Sequence, residues 1–153
     1  MKYWIFFVLI LLTLYKCSKR SDIVEIFIVK SENLSSLEEL DPQNVILDSL
    51  IISSNDIIAY DKLSFTFELT ESSAMRLRKM ESEMKPFCII KNGEKVLAGW
   101  FWPCTSSLGM NGFVSFNLNC SGKNKLVIGY GLESKDYPNK NDPRKKITVA
   151  NKN

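Results

Sequence analysis

Side chains that could do chemistry are thinly spread through this chain of 153 residues. It contains no histidine, which removes the commonest general base, the usual proton switch and the commonest metal ligand together. A serine nucleophile would therefore need a lysine as its base. The Ser-x-x-Lys spacing occurs at Ser82 and Lys85, at the fraying end of an expected helix, where solvated side chains are the ordinary outcome. Thr105-Ser106-Ser107 and Ser121-Gly122-Lys123 read as loop and turn chemistry. The acidic pairs Glu38-Glu39 and Glu81/Glu83 belong on solvated helix faces, and nothing sets two carboxylates across a cleft. Gly129-Tyr130-Gly131 and Asn92-Gly93 are turns, because no glycine-rich loop opens a helix as a phosphate cradle requires. The cysteines, at 17, 88, 104 and 120, match no zinc spacing. The expectation is a protein that is not an enzyme, with no cofactor, no metal, no nucleic acid and no small-molecule substrate.

The most unusual local composition is Trp100-Phe101-Trp102-Pro103. In a strand the two tryptophans share one face and Phe101 takes the other. Phe101 is expected in the core. For Trp100 and Trp102 two readings stand side by side: core packing, or an exposed partner-binding surface, since large aromatics with a polar handle are enriched at protein interfaces.

The first 17 residues bear on the compartment. Met1-Lys2 is a short basic start, followed by an apolar run over residues 3–15 broken only by Thr13. As a helix this run reaches about 20 Å, short of a hydrocarbon core of roughly 30 Å, which suits the apolar region of a secretory signal. Leu14-Tyr15-Lys16-Cys17 resembles a bacterial lipobox, although Lys16 stands where that pattern has a small residue. Lipid attachment at Cys17 and an uncleaved N-terminal anchor remain the two alternatives. Either holds the chain to a membrane of the cell envelope by one hydrophobic element. In an oxidising envelope, one pair among Cys88, Cys104 and Cys120 can bridge and leave one over.

Behind this leader, 18–22 is a polar tether, 23–130 one α+β domain, and 131–153 a basic polar tail with a possible edge strand at 147–150. The formal charge is +3 for the chain. Residues 123–153 hold eight basic against three acidic groups, whereas 17–122 hold ten against fourteen, so the tail suits anionic lipid or an acidic partner surface, beside the ordinary reading of a solvated lysine-rich tail. Strand patterns run over 23–29, 45–52, 64–70, 87–91, 94–102, 113–118 and 125–130. A brief helix is expected over 34–40, capped by Asn33 and stopped by Asp41-Pro42. Alternation is clearest at Phe65, Phe67 and Leu69. Thr70 then caps the principal helix, 71–84, whose Ala74, Leu77, Met80 and Met84 share one face. Asn92-Gly93 is the preferred pair for a type I′ hairpin. Counting outward from it sets Cys88 across from Leu97, with Cys104 beyond the first strand, so Cys88 is expected as a small buried apolar residue.

Several of these pieces, in this order, resemble the first periplasmic domain of SecD, the export-assisting subunit of the bacterial Sec translocase. They are the opening strand 23–30, Ser53-Ser54-Asn55-Asp56-Ile57, the strand Ser64-Phe65-Thr66-Phe67-Glu68-Leu69-Thr70, the helix start Glu71-Ser72-Ser73-Ala74, and the hairpin from Lys85-Pro86-Phe87 to Val96-Leu97. The resemblance covers about a third of the chain. Gly99-Trp100-Phe101-Trp102 replaces the family's proline after the second hairpin strand, and the helices that couple that family to proton flow have no counterpart. What it implies is the fold and a place in the envelope near exported polypeptides.

The reading is therefore an α+β domain: a mostly antiparallel sheet of five or six strands with one principal helix packed on a face. Its expected role is that of a non-catalytic envelope lipoprotein binding a protein or peptide through a sheet edge or the Trp100/Trp102 surface. The alternative is a membrane-surface scaffold that uses its basic tail.

Overall fold

The computed structural model describes residues 22–31, 40–80, 84–102, 114–118, 124–130 and 142–147. Eight strands form one sheet: β1 Val24–Val29, β2 Leu47–Ile52, β3 Ile57–Asp61, β4 Thr66–Leu69, β5 Pro86–Lys91, β6 Glu94–Trp102, β7 Val114–Leu118 and β8 Lys125–Tyr130. Among the described residues one α-helix, α1, spans Glu71–Arg78, and a short 3-10 turn spans Pro143–Lys146. The architecture is α+β, as expected. The sheet is larger than the five or six strands anticipated, and one of its pairings, β6 with β7, is parallel.

The strand order is β2-β1-β5-β6-β7-β8-β4-β3, so the two edge strands are consecutive in the chain. Laid flat, eight strands at about 4.8 Å spacing would set these edges roughly 34 Å apart. The link from Ile52 to Ile57 can reach at most about 17 Å. The sheet must therefore curl until its edges meet at the corner Ser53–Asp56. Its concave side holds one apolar cluster drawn from all eight strands, including Ile26, Ile52, Tyr60, Phe67, Phe87, Phe101, Phe116, Leu126 and Ile128. Phe87 and Phe116 stack with centroids 3.9 Å apart, and Phe101 lies 5.3 and 5.4 Å from them. Each such pair adds about 0.5–1.5 kcal/mol beyond the burial of its area.

The hairpin forms as its turn residues dictate. Asn92 and Gly93 take φ of 52° and 86°, the left-handed pair that a type I′ turn needs. A bulge between Ile89 and Ile90 shifts the register, so Cys88 sits opposite Ala98 rather than Leu97. Glycine is required at Gly99, because a Cβ there would lie 2.2 Å from the Val114 carbonyl oxygen where β7 begins to pair with β6.

The principal helix is shorter than 71–84, ending at Arg78, and Met84 is exposed. Thr70 caps it as expected, its side chain accepting from the Ser73 N–H. Ala74 and Leu77 enter the concave cluster and Met80 packs beside them. β4 begins at Thr66, not 64, because Phe65 turns left-handed at φ 51° to close the β3–β4 turn. The strand Ile57–Asp61 has no counterpart among the sequence patterns. The brief helix at 34–40 lies outside the described residues apart from Leu40. Cys17, Cys104, Cys120, Ser82 and the 105–107 loop also lie outside them.

Candidate functional site

Strand alternation sends Phe101 inward and the two tryptophans outward, as the sequence requires. The outward face is not open there. Residues 40–46, ahead of β2, lie across it, and Leu40 and Val45 pack with Val29, Cys88, Ala98, Trp100 and Trp102 in a second apolar cluster. Two bonds fasten this cover: Gln43 Nε2 donates to the Lys95 carbonyl at 2.9 Å, and Lys95 Nζ donates to the Val45 carbonyl at 2.9 Å. Trp100 and Trp102 are each 6% exposed. The partner surface expected at Trp100 and Trp102 is thus corrected to a buried layer, the core arrangement of the two. Cys88 belongs to the same layer. Burial pushes its thiol up to about 11, against the nearby charge of Lys95, and it carries no disulfide.

What the fold leaves open is a sheet edge. The two edge strands differ. β2 carries two register shifts against β1, and Arg76 Nη2 reaches its Ile51 carbonyl at 3.4 Å. Bulges and side-chain cover of this kind blunt an edge. β3 has one bulge, at Ile58, and then runs regularly from Ala59 to Asp61 against β4. No described strand pairs with its other side. Ile58 is 50% exposed on this edge, and Leu63, in the turn that follows, is 86% exposed.

Beside the edge, an open groove of ≈ 330 Å³ is lined by Ala59, Asp61, Ser64, Thr66, Glu68 and Lys125. Register builds it: Ala59 pairs with Glu68 and Glu68 with Lys125, in one row across β3, β4 and β8, while Asp61 pairs with Thr66 in the next. The Ser64 hydroxyl lies 2.6 Å from Asp61 Oδ2, and the Leu63 N–H donates to Oδ1 at 2.9 Å. These two bonds hold the Asp61 carboxyl below its ordinary range. The groove offers two carboxylates and one ammonium beside the hydroxyls of Ser64 and Thr66. Sequence reasoning missed it because only strand register brings Lys125 beside Glu68, 57 residues earlier.

Two polar clusters brace this region. At the corner, Asp56 accepts from Ser53 N and Ser53 Oγ at 2.8 Å, from Ser73 Oγ, and from Arg76 Nη2 at 3.0 Å. Burial alone would raise its carboxyl, but the bonds from Ser73, Ser53 and Arg76 outweigh burial and hold it far below the usual range. The second cluster comes from the expected tail. Arg144 forks onto Asp142, with Nη2 to Oδ2 at 2.8 Å, donates to the Ile128 carbonyl at 3.0 Å, and lies 4.2 Å over the Phe65 ring. Ile147 is buried in the concave cluster. Residues 142–147 are therefore packed against the domain rather than free, and of their basic groups Lys145 and Lys146 face solvent. Burial pushes the nearby Tyr60 phenol up to about 12, although Arg144 opposes it.

Among the described residues no group of three or more acids or cysteines could hold a metal ion, and no helix is long and apolar enough to cross a membrane. Compared with known proteins, the chain matches no family model, no curated protein and no solved structure.

Proposed function

We propose that this is a non-catalytic, membrane-tethered domain of the cell envelope that takes up an extended segment of a protein along the free edge of β3. The carrying observation is that edge itself: a strand whose outer side pairs with no described strand, with exposed Ile58 on it and the Asp61/Glu68/Lys125 groove alongside. An added strand gains main-chain hydrogen bonds from the edge and selectivity from alternate side chains. Ile58 offers an apolar contact, and the groove favours polar or basic side chains. The resemblance to the SecD domain supports the same reading, because it too implies handling of exported polypeptides. Against catalysis stand the absence of histidine from the sequence and the burial of Cys88.

The test is photo-crosslinking in living cells from a probe at Ile58, with a probe at exposed Met75 on α1 as comparison. Capture of polypeptide at Ile58 and not at Met75, with the crosslinked segment read by mass spectrometry as extended chain, is the expected result. Equal capture at both positions, or none at Ile58 in a folded variant, defeats the β3 reading. The second reading, a scaffold held to anionic lipid by basic residues, has exposed Lys145 and Lys146 in its favour. It requires salt-sensitive binding of the leaderless protein to anionic vesicles.

A further inference from the structure

The first described residues are fastened to one end of the domain. The Asp22 carboxylate accepts from Asn92 Nδ2 at 3.1 Å and lies 3.6 Å from Lys91 Nζ. Ile23 N donates to Asn92 Oδ1 at 3.0 Å, and Asn92 N donates back to the Ile23 carbonyl at 2.8 Å. One residue on, Val24 N donates to Ser54 Oγ at 3.1 Å, which ties the same end to the sheet corner. The chain thus enters the domain at the β5–β6 turn. From Cys17 to Asp22 the backbone spans at most about 18 Å even fully extended. A domain anchored at Cys17 cannot hold this end farther than that from the lipid.

We propose that the end formed by residues 22–24 and the β5–β6 turn, residues 91–94, rests on the phospholipid surface. This inference rests on the tethered reading above. The surface chemistry suits it. Ile23 is 52% exposed at the point of entry and offers an apolar side chain to the interface. Asp22 pairs with Lys91, Asn92 and Gly93 carry no charge, and Glu94 leaves this end with a formal charge of −1. An end with no excess of positive charge meets lipid through proximity and Ile23, not through attraction to anionic headgroups, so its contact is insensitive to salt. That separates it from contact made by Lys145 and Lys146.

The test uses the full chain, purified from cell membranes and reconstituted in vesicles of phosphatidylcholine mixed with an anionic phospholipid and carrying a headgroup nitroxide quencher. A fluorescent amino acid replaces Glu94 in one variant and Lys30 in another; both are exposed, and Lys30 lies about 23 Å from Ile23 along extended β1. Vesicle flotation is scored first. Quenching several-fold stronger at position 94 than at 30, the same at low and high salt, is the expected result. Flotation with equal or stronger quenching at 30, or with none at 94, overturns the proposed orientation and leaves the tether standing. Quenching at 94 that vanishes at high salt assigns the contact to basic residues and also overturns it. Failure to float overturns the tether and this inference together.

Discussion

Replacing Asp56 by asparagine tests whether charge at the corner holds the curled sheet together. The carboxylate accepts two bonds from Ser53, one from Ser73 and one from Arg76. An amide keeps the oxygen that faces Ser53 and turns its NH2 toward Ser73, whose hydroxyl can accept. Two Ser53 bonds lose their charge assistance, about 1 kcal/mol each. The ion pair with Arg76, whose side chain is 53% exposed, adds at most about 1 kcal/mol after screening. The expected destabilisation is about 2–3 kcal/mol at pH 7, read from urea unfolding of both proteins. The pH dependence sharpens the test. Because folding depresses this carboxyl below its ordinary 3.8, its contribution is complete above that value and is lost as pH falls toward the folded pKa. At pH 2.5 roughly 2 kcal/mol of it is gone, at about 1.4 kcal/mol per pH unit. The gap between wild type and variant should close accordingly on acidification. A gap that is the same at pH 7 and pH 2.5, or below about 0.5 kcal/mol at pH 7, refutes the charge argument.

Gly99→Ala forces β7 away from β6 by roughly 1 Å and should cost about 2–3 kcal/mol, visible as a Tm drop of several degrees; an unchanged Tm would mean the close approach to Val114 does not exist. Arg144→Met strands the buried Asp142 carboxylate and should cost about 3–5 kcal/mol, with part of the loss recovered by adding Asp142→Leu. Failure of the double variant to recover would place the effect elsewhere. Trp102→Ala should cost about 3–5 kcal/mol as a core truncation; a near-neutral result would return this residue to the surface. Cys88 should resist alkylation at pH 8 in the folded protein and react on addition of denaturant, monitored by mass spectrometry of its own peptide. Fast native labelling would contradict its burial.

The hairpin, the Thr70 cap and the inward Phe101 were legible because each depends on residues within a few positions. Asn92-Gly93 can supply two left-handed conformations at little cost, and any sequence reading finds that. Ile57–Asp61 escaped because Ile57-Ile58-Ala59-Tyr60 shows no alternation. A bulge at Ile58 breaks the period, and tertiary pairing with β4 makes it a strand. The helix was read too long because Met84 continues the apolar spacing past Arg78, yet it has no wall to pack against and stays exposed. The tryptophans were ambiguous in principle. Composition says they are large and apolar, but only the placement of Leu40 and Val45 says what lies over them. The groove was invisible for the same kind of reason, since its acids and lysine converge through strand order alone.

The strand order also governs when the molecule can exist. β1 must wait for β5, with Ile26 pairing Ile89, and β4 must wait for β8, with Phe67 pairing Leu126. Each partnership closes a loop of roughly 60 residues, and pairings so distant slow folding toward the millisecond-to-second range. A nascent chain cut anywhere before Lys125 keeps the β3–β4 hairpin without its second neighbour and the concave cluster unroofed. The β5–β6 hairpin is one local nucleus that can form early, with its turn set by Asn92 and Gly93. Synthesis must therefore pass β8 before the sheet can curl shut. A polypeptide that stays unfolded until late is also one that a translocation channel can thread.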